Sequence, residues 1–133
     1  MNQWDAWLAG FIDGEGCIRL DSEEFNPQPR ISVANTDRAV LEEIQRREGG
    51  NVFDVGTPRR SNHKQGYEWR FYSPTGIEAL LTRLRPYFRV KSTEAWLMLE
   101  YLAHRTNYPP AHYPPPEEKA LRMGFRLALQ GAK

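Results

Sequence analysis

Apolar residues fall at Trp4, Trp7, Leu8, Phe11 and Ile12, spaced i, i+3, i+4, i+7 and i+8, so the chain opens on an amphipathic helix. Ala6, Gly10 and Gly14, four apart, draw a second stripe on that helix that is nearly bare of side chains. The period then shortens to two. Cys17 to Asp21 and Arg30 to Ala34 read as strands, with Asn26, Pro27 and Pro29 marking the turn between them. Asn35, Thr36 and Asp37 cap a helix carrying Val40, Leu41 and Ile44, and Gly49 and Gly50 end it. Val52 to Val55 and Tyr67 to Tyr72 form a second strand pair around a polar loop. Ser73 and Pro74 open a helix with Ile77, Leu80, Leu81 and Leu84 at helical spacing, stopped by Pro86. A further helix is predicted from about Ser92 to Arg105, and a last one from Glu117 towards Gln130. Between them lies a proline-rich stretch, Tyr108 to Pro116, read as a stiff connector over 109–116. The order is α-β-β-α-β-β-α followed by C-terminal helices: an α+β class with no internal repeat.

The first helix ends in Asp13 and Glu15, where a helix terminus already carries partial negative charge and unpaired carbonyls. Carboxylates placed there are disfavoured unless a cation sits among them. Magnesium answers that description, because it is usually held by one or two carboxylates together with substrate phosphates. Glu15, with the Gly14 carbonyl beside it, is the candidate ligand set. Asp13 is expected to bond backbone at the helix terminus instead.

Residues 8 to 16, Leu-Ala-Gly-Phe-Ile-Asp-Gly-Glu-Gly, resemble the signature of the LAGLIDADG homing endonucleases, by identity or common substitution at all nine positions. The element order resembles that family as well, through Lys91 and the helix after it. Only the end beyond Tyr108 matches poorly. The resemblance implies the LAGLIDADG endonuclease fold, with a curved antiparallel DNA-binding sheet and extra C-terminal helices. A single motif copy implies a homodimer joined through Trp7, Gly10, Phe11 and Gly14. On periodicity alone, the bare stripe packs equally well against the chain's own sheet. The resemblance also implies catalytic metal at Glu15, magnesium or another divalent cation such as manganese, with Glu standing for the Asp of the family name. Lys91, in Leu-Arg-Pro-Tyr-Phe-Arg-Val-Lys, is similar by context to the family's active-site lysine, which is thought to steady the attacking water or the charge developing on phosphate. Asn35 stands where the family often has a polar residue lining the water pocket, although it is also a good helix cap. Arg38 is a lesser candidate.

Strand phase nominates the residues that would meet DNA. Arg19 and Asp21 oppose Ile18 and Leu20; Arg30 and Ser32 oppose Ile31 and Val33. Asp54 opposes Phe53 and Val55, while Glu68, Arg70 and Tyr72 oppose Trp69 and Phe71. An ordinary half-buried sheet would show the same alternation. The mixed outer face suits base reading, since arginine forks to guanine and carboxylates accept from the cytosine amino group. Arg59, Arg60, His63 and Lys64 add a basic loop tip suited to phosphate. A six-residue strand covers about 20 Å, or about six base pairs. Two halves with their loops then call for a partly palindromic target of roughly 20 base pairs.

Composition changes this picture little. The 133 residues, 40% of them hydrophobic, suffice for one domain with one core. The net charge of +1 is low for a protein that binds DNA, so basic residues must be gathered on one face among acids. Cys17 is the sole cysteine, which excludes an internal disulfide. No apolar run approaches membrane-spanning length and no signal peptide is apparent, so an intracellular protein, not a secreted one, is expected. His63, His104 and His112 are too scattered to suggest zinc. The expected partners are double-stranded DNA and a second copy, without a small-molecule cofactor. An RNA-splicing maturase and a cleavage-deficient DNA-binding regulator are the alternatives on the same scaffold.

Overall fold

The computed structural model describes residues 2–21, 26–56, 65–107 and 114–132. Its elements are α1 (Gln3–Glu15), β1 (Gly16–Asp21), β2 (Gln28–Asn35), α2 (Arg38–Glu48), β3 (Asn51–Asp54), β4 (Tyr67–Phe71), α3 (Pro74–Leu84), α4 (Ser92–Asn107) and α5 (Pro116–Gly131). The predicted order is therefore observed, with a 3-10 turn over Arg85–Tyr87 where Pro86 ends α3.

Local chemistry starts and stops these elements. The Asn2 side chain accepts the N–H groups of Trp4 and Asp5 at the start of α1, Asp37 accepts that of Val40 for α2, and Ser73 that of Gly76 for α3. After α2 the chain turns through Gly49 and Gly50, both at positive φ. A Cβ on Gly50 would stand 2.6 Å from the Arg70 carbonyl and 2.8 Å from Trp69 Nε1. That close approach lets the buried Trp69 indole donate to the Gly49 carbonyl at 2.8 Å. The largest side chain of the core is thus hydrogen-bonded as well as buried.

The four strands form one antiparallel sheet in the order β1-β2-β4-β3. Ile18 and Leu20, Ile31 and Val33, and Trp69 and Phe71 face inward, as their alternation predicts. Against them pack Leu8, Ala9 and Ile12 of α1, Leu41 and Ile44 of α2, and the four predicted residues of α3. Phe88, together with Ala95, Met98, Tyr101 and Leu102 of α4 and Leu129 of α5, completes the core. Arg83 ties α1, α2 and α3 together by donating to Asp5 at 2.7 Å and to Glu48 at 3.0 and 2.9 Å. Those hydrogen bonds, Glu48's first and then Asp5's, raise the Arg83 pKa further above its usual value.

The pairing register corrects one expectation. Phe53 lies opposite Glu68 and Val52 opposite Trp69, so Phe53 shares the outer face and Val52 the inner one. Asp54 pairs with Tyr67 on the inner phase and accepts from Arg38 of α2 at 3.1 Å. Asp54 is therefore absent from the outer face. The strand is a four-residue edge in which either phase buries an apolar side chain, so alternation alone could not choose between them.

Candidate active site and nucleic-acid interface

Alpha-helix α1 divides into two faces. Leu8, Ala9 and Ile12 are buried, while Trp7 is 40% exposed and Gly10 and Gly14 are exposed. A Cβ placed on Gly10 or Gly14 would meet nothing within 4 Å, so the bare stripe does not pack against the chain's own sheet. Beside it, the rings of Trp4, Trp7 and Phe11 stack in succession at centroid separations of 5.1 Å. Arg47 stands over Trp4 at 4.3 Å. The apolar stripe foreseen from spacing thus splits: Leu8 and Ile12 enter the core, Trp4 and Phe11 pack partly buried at its margin, and Trp7 is left on the open face.

At the end of this helix the two acids part company. The backbone N–H groups of Arg89, Val90 and Lys91 donate to the Asp13 carboxylate at 2.8, 3.2 and 2.9 Å. Lys91 Nζ donates to the Asp13 carbonyl at 3.2 Å. Since the Lys91 carbonyl accepts the first helical bond of α4 from Ala95, the negative end of α1 meets the positive start of α4. Asp13 bonds backbone, as expected, but backbone 76 to 78 residues further along.

Glu15 is exposed, and among the described residues it has no hydrogen bond or ion pair. With Ala34, Asn35, Thr36, Val55, Gly66 and Tyr67 it lines an open hollow of about 460 Å³. A second hollow, of about 220 Å³, is lined by Gly16, Cys17, Val90, Lys91 and Glu94 together with Ala132. The structure therefore brings Glu15 and Asn35 to one hollow and ties Lys91 to the same end of α1. Asn35 Oδ1 accepts the N–H of Asp37 at 2.8 Å, a turn that delivers Asp37 to its capping position. Arg38 sits over the Tyr67 ring at 5.2 Å, held by Asp54.

The donor set fits a cation that shares its coordination with a substrate. Among the described residues no group of three or more His, Cys, Asp or Glu could cage a metal by itself. One open carboxylate at a helix C-terminus matches an ion that takes its remaining oxygens from phosphate and water.

The outer face of the sheet is a chain of charge pairs. Arg19 meets Asp21 at 3.0 Å, and Arg30 meets Asp21 at 3.9 Å. Glu68 Oε1 accepts from both Arg30 Nη2 and Arg70 Nε, each at 2.5 Å. Burial pushes the Glu68 carboxyl up, but the hydrogen bonds and charges of Arg70 and Arg30 outweigh it and hold the group below the usual glutamate range. The Glu68 hydrogen bond in turn raises the pKa of Arg70. Arg70 also lies over Phe53 at 4.6 Å, and Arg30 over Tyr72 at 5.8 Å. Ser32, in the middle of this face between Cys17 and Arg70, is only 7% exposed. Gln28, opposite Asp21, extends the face beyond the strand start foreseen at Arg30. Proline on both sides hid it. Arg59, Arg60, His63 and Lys64 lie outside the described residues.

Comparisons with known proteins agree on kinship. A LAGLIDADG-like domain model matches residues 3–72. DNA endonuclease I-CvuI of Chlorella vulgaris is 30% identical over 111 residues, covering 77% of this chain and 65% of that protein, so the chain spans under two thirds of its relative. A crystal structure of I-CvuI in complex with the I-CreI target in 2 mM Mg, its DNA not cleaved, aligns with a TM-score of 0.76 at 23% identity, over 98% of this chain and 82% of that one. An archaeal intron-encoded homing endonuclease complexed with DNA gives 0.78 at 16% identity, over 98% and 84%. At these identities the structural likeness speaks to the fold.

Proposed function

The chain belongs to the LAGLIDADG family, and from that premise we propose that it is a sequence-specific DNA endonuclease that works as a homodimer with a divalent metal. The observation that carries this reading is the pairing of an open Glu15 with a saturated Asp13 at one helix end. An acid that served only to cap would have found partners, as Asp13 did.

Each residue then has a task. Magnesium or manganese, held by Glu15 and the Gly14 carbonyl with DNA phosphate oxygens, would neutralise charge at the scissile phosphate and acidify a water. Asp13 fixes the backbone of 89–91 and so sets where Lys91 begins. Lys91, its ammonium on the Asp13 carbonyl, supplies positive charge for the phosphate as negative charge develops there. Asn35 orients water in the hollow it shares with Glu15. Two copies meeting along Gly10 and Gly14, with Trp7 and Phe11 beside them, would bring two such sites to opposite strands. Small residues at the contact allow the two helices to approach closely. The outer face, with Arg19, Asp21, Arg30, Glu68, Arg70 and Tyr72 around the buried Ser32, reads bases, and Arg59, Arg60, His63 and Lys64 hold phosphates.

The test is Glu15→Gln, which keeps size and removes charge. Single-turnover cleavage of either strand should fall by on the order of 100-fold or more, the upper range for altering a metal site. DNA affinity measured in calcium should stay the same. Undiminished cleavage by a folded variant would overturn the assignment.

A further inference from the structure

The LAGLIDADG-like match ends at residue 72, so α4 and α5 lie beyond it. Side chains of both helices converge on three consecutive residues where β2 begins. Arg122 Nη1 of α5 donates to Asn26 Oδ1 at 2.5 Å. The Tyr101 hydroxyl of α4 donates to the Pro27 carbonyl at 2.6 Å. Arg105 donates through Nη1 and Nη2 to Gln28 Oε1, both at 3.3 Å.

The grip is itself braced. Glu118 accepts from Arg122 Nε at 2.8 Å and lies 2.7 and 2.9 Å from His104 Nε2, joining the two helices behind the contact. Arg122 is 5% exposed, unusual for arginine, and the Tyr101 ring packs edge-on to Phe125. Buried charge of this kind is weak evidence of stabilisation, because desolvation offsets much of the pairing. It does hold a geometry, and the geometry held is that of an outer-face residue: Gln28 stands opposite Asp21, which bonds Arg19 and meets Arg30.

We propose that Arg122, Tyr101 and Arg105 are positioning residues that fix the start of β2 and thereby set base preference at the distal part of each half-site. This rests on the reading of the outer face given above. The register supplies the distance. Val33 pairs with Gly16 beside the candidate catalytic end, whereas Gln28 lies five residues earlier, at the far start of β2. At roughly 3.3 Å per residue that is about 16 Å, or about five base pairs. The clamp therefore governs bases at and beyond that distance from the catalytic end and leaves nearer ones alone.

The experiment measures cleavage by the full chain of a target set in which every base pair of the half-site is changed singly. Arg122→Met, Tyr101→Phe and Arg105→Met are compared with wild type. Tyr101→Phe removes only a hydroxyl, so it carries the test if Arg122→Met fails to fold. Each folded variant should lose roughly ten-fold of discrimination at the distal positions, within the range that one base contact supplies. Discrimination at inner positions should not change. A selective wild type whose profile the folded variants leave unaltered, or alter equally at every position, overturns the clamp alone. A wild type with no base preference overturns both the clamp and the reading face on which it rests.

Discussion

At the junction of α1 and α4 one carboxylate is left open, whereas on the outer face of the sheet the described arginines Arg19, Arg30 and Arg70 are each already held by an acid. The contrast is what the proposed function would ask of the two regions. A metal ligand would have to stay open until an ion and a phosphate arrive together; Asp13 accepts three backbone N–H groups, whereas Glu15, among the described residues, accepts none. A reading residue would instead be oriented before DNA arrives and would then exchange its carboxylate for a base or phosphate. Pairing restrains a long side chain that would otherwise lose considerable rotamer entropy on binding. It also accounts for the small net charge.

The largest effect should come from closing the open region to a second copy. A Cβ at Gly10 meets nothing within 4 Å in its own chain, and Gly10→Leu gains about 1 kcal/mol of helix propensity. The variant should fold at least as well as wild type by thermal unfolding, yet sediment as a monomer and cut neither strand. A dimeric, active Gly10→Leu protein would show that the stripe is not the joint.

A lesser loss is expected for Asp13→Asn, which leaves Glu15 intact but weakens the grip on 89–91. Its single-turnover rate should fall by roughly ten-fold, the lower range seen when a ligand's support is altered. Combined with Lys91→Met, it should add little further loss, because both act through one lysine. Additive losses would mean that Asp13 does not work through Lys91.

On the paired face, Glu68→Gln should release two arginines at once. Affinity for all sequences should rise, its salt dependence should steepen, and discrimination should drop by about 1 to 3 kcal/mol at one position in each half-site. Affinity that rises without any loss of discrimination would make Glu68 a mere neutraliser of charge.

The smallest effect is in stability against pH. Burial raises the Glu68 and Glu118 carboxyls, but Arg70 and Arg30 for Glu68, and His104 and then Arg122 for Glu118, bring both below their ordinary value of 4.5. A carboxyl depressed by folding stabilises fully above its unfolded value, and that share is lost as pH falls through the folded one. The melting temperature should therefore decline more steeply below pH 4.5 in wild type than in a Glu68→Gln, Glu118→Gln double variant.

The sequence by itself determined the elements, the inward residues of three strands, and the acid at the end of the first helix. Each of these is written locally: period two or 3.6, a capping residue, or a glycine at positive φ. Glu15, Lys91 and Asn35 are legible through a motif and its context, and Arg30 and Arg70 through alternation. Tertiary structure decided the rest, because it depends on partners far apart along the chain. Asp13 met residues 89–91, Arg83 reached back to Asp5, and Arg122 met Asn26; no period or spacing records such pairs. The phase of β3 also waited for the fold. A short edge strand with an apolar residue in either phase has no preference of its own, and only its pairing with β4, which buries Trp69 beside Val52, makes the choice.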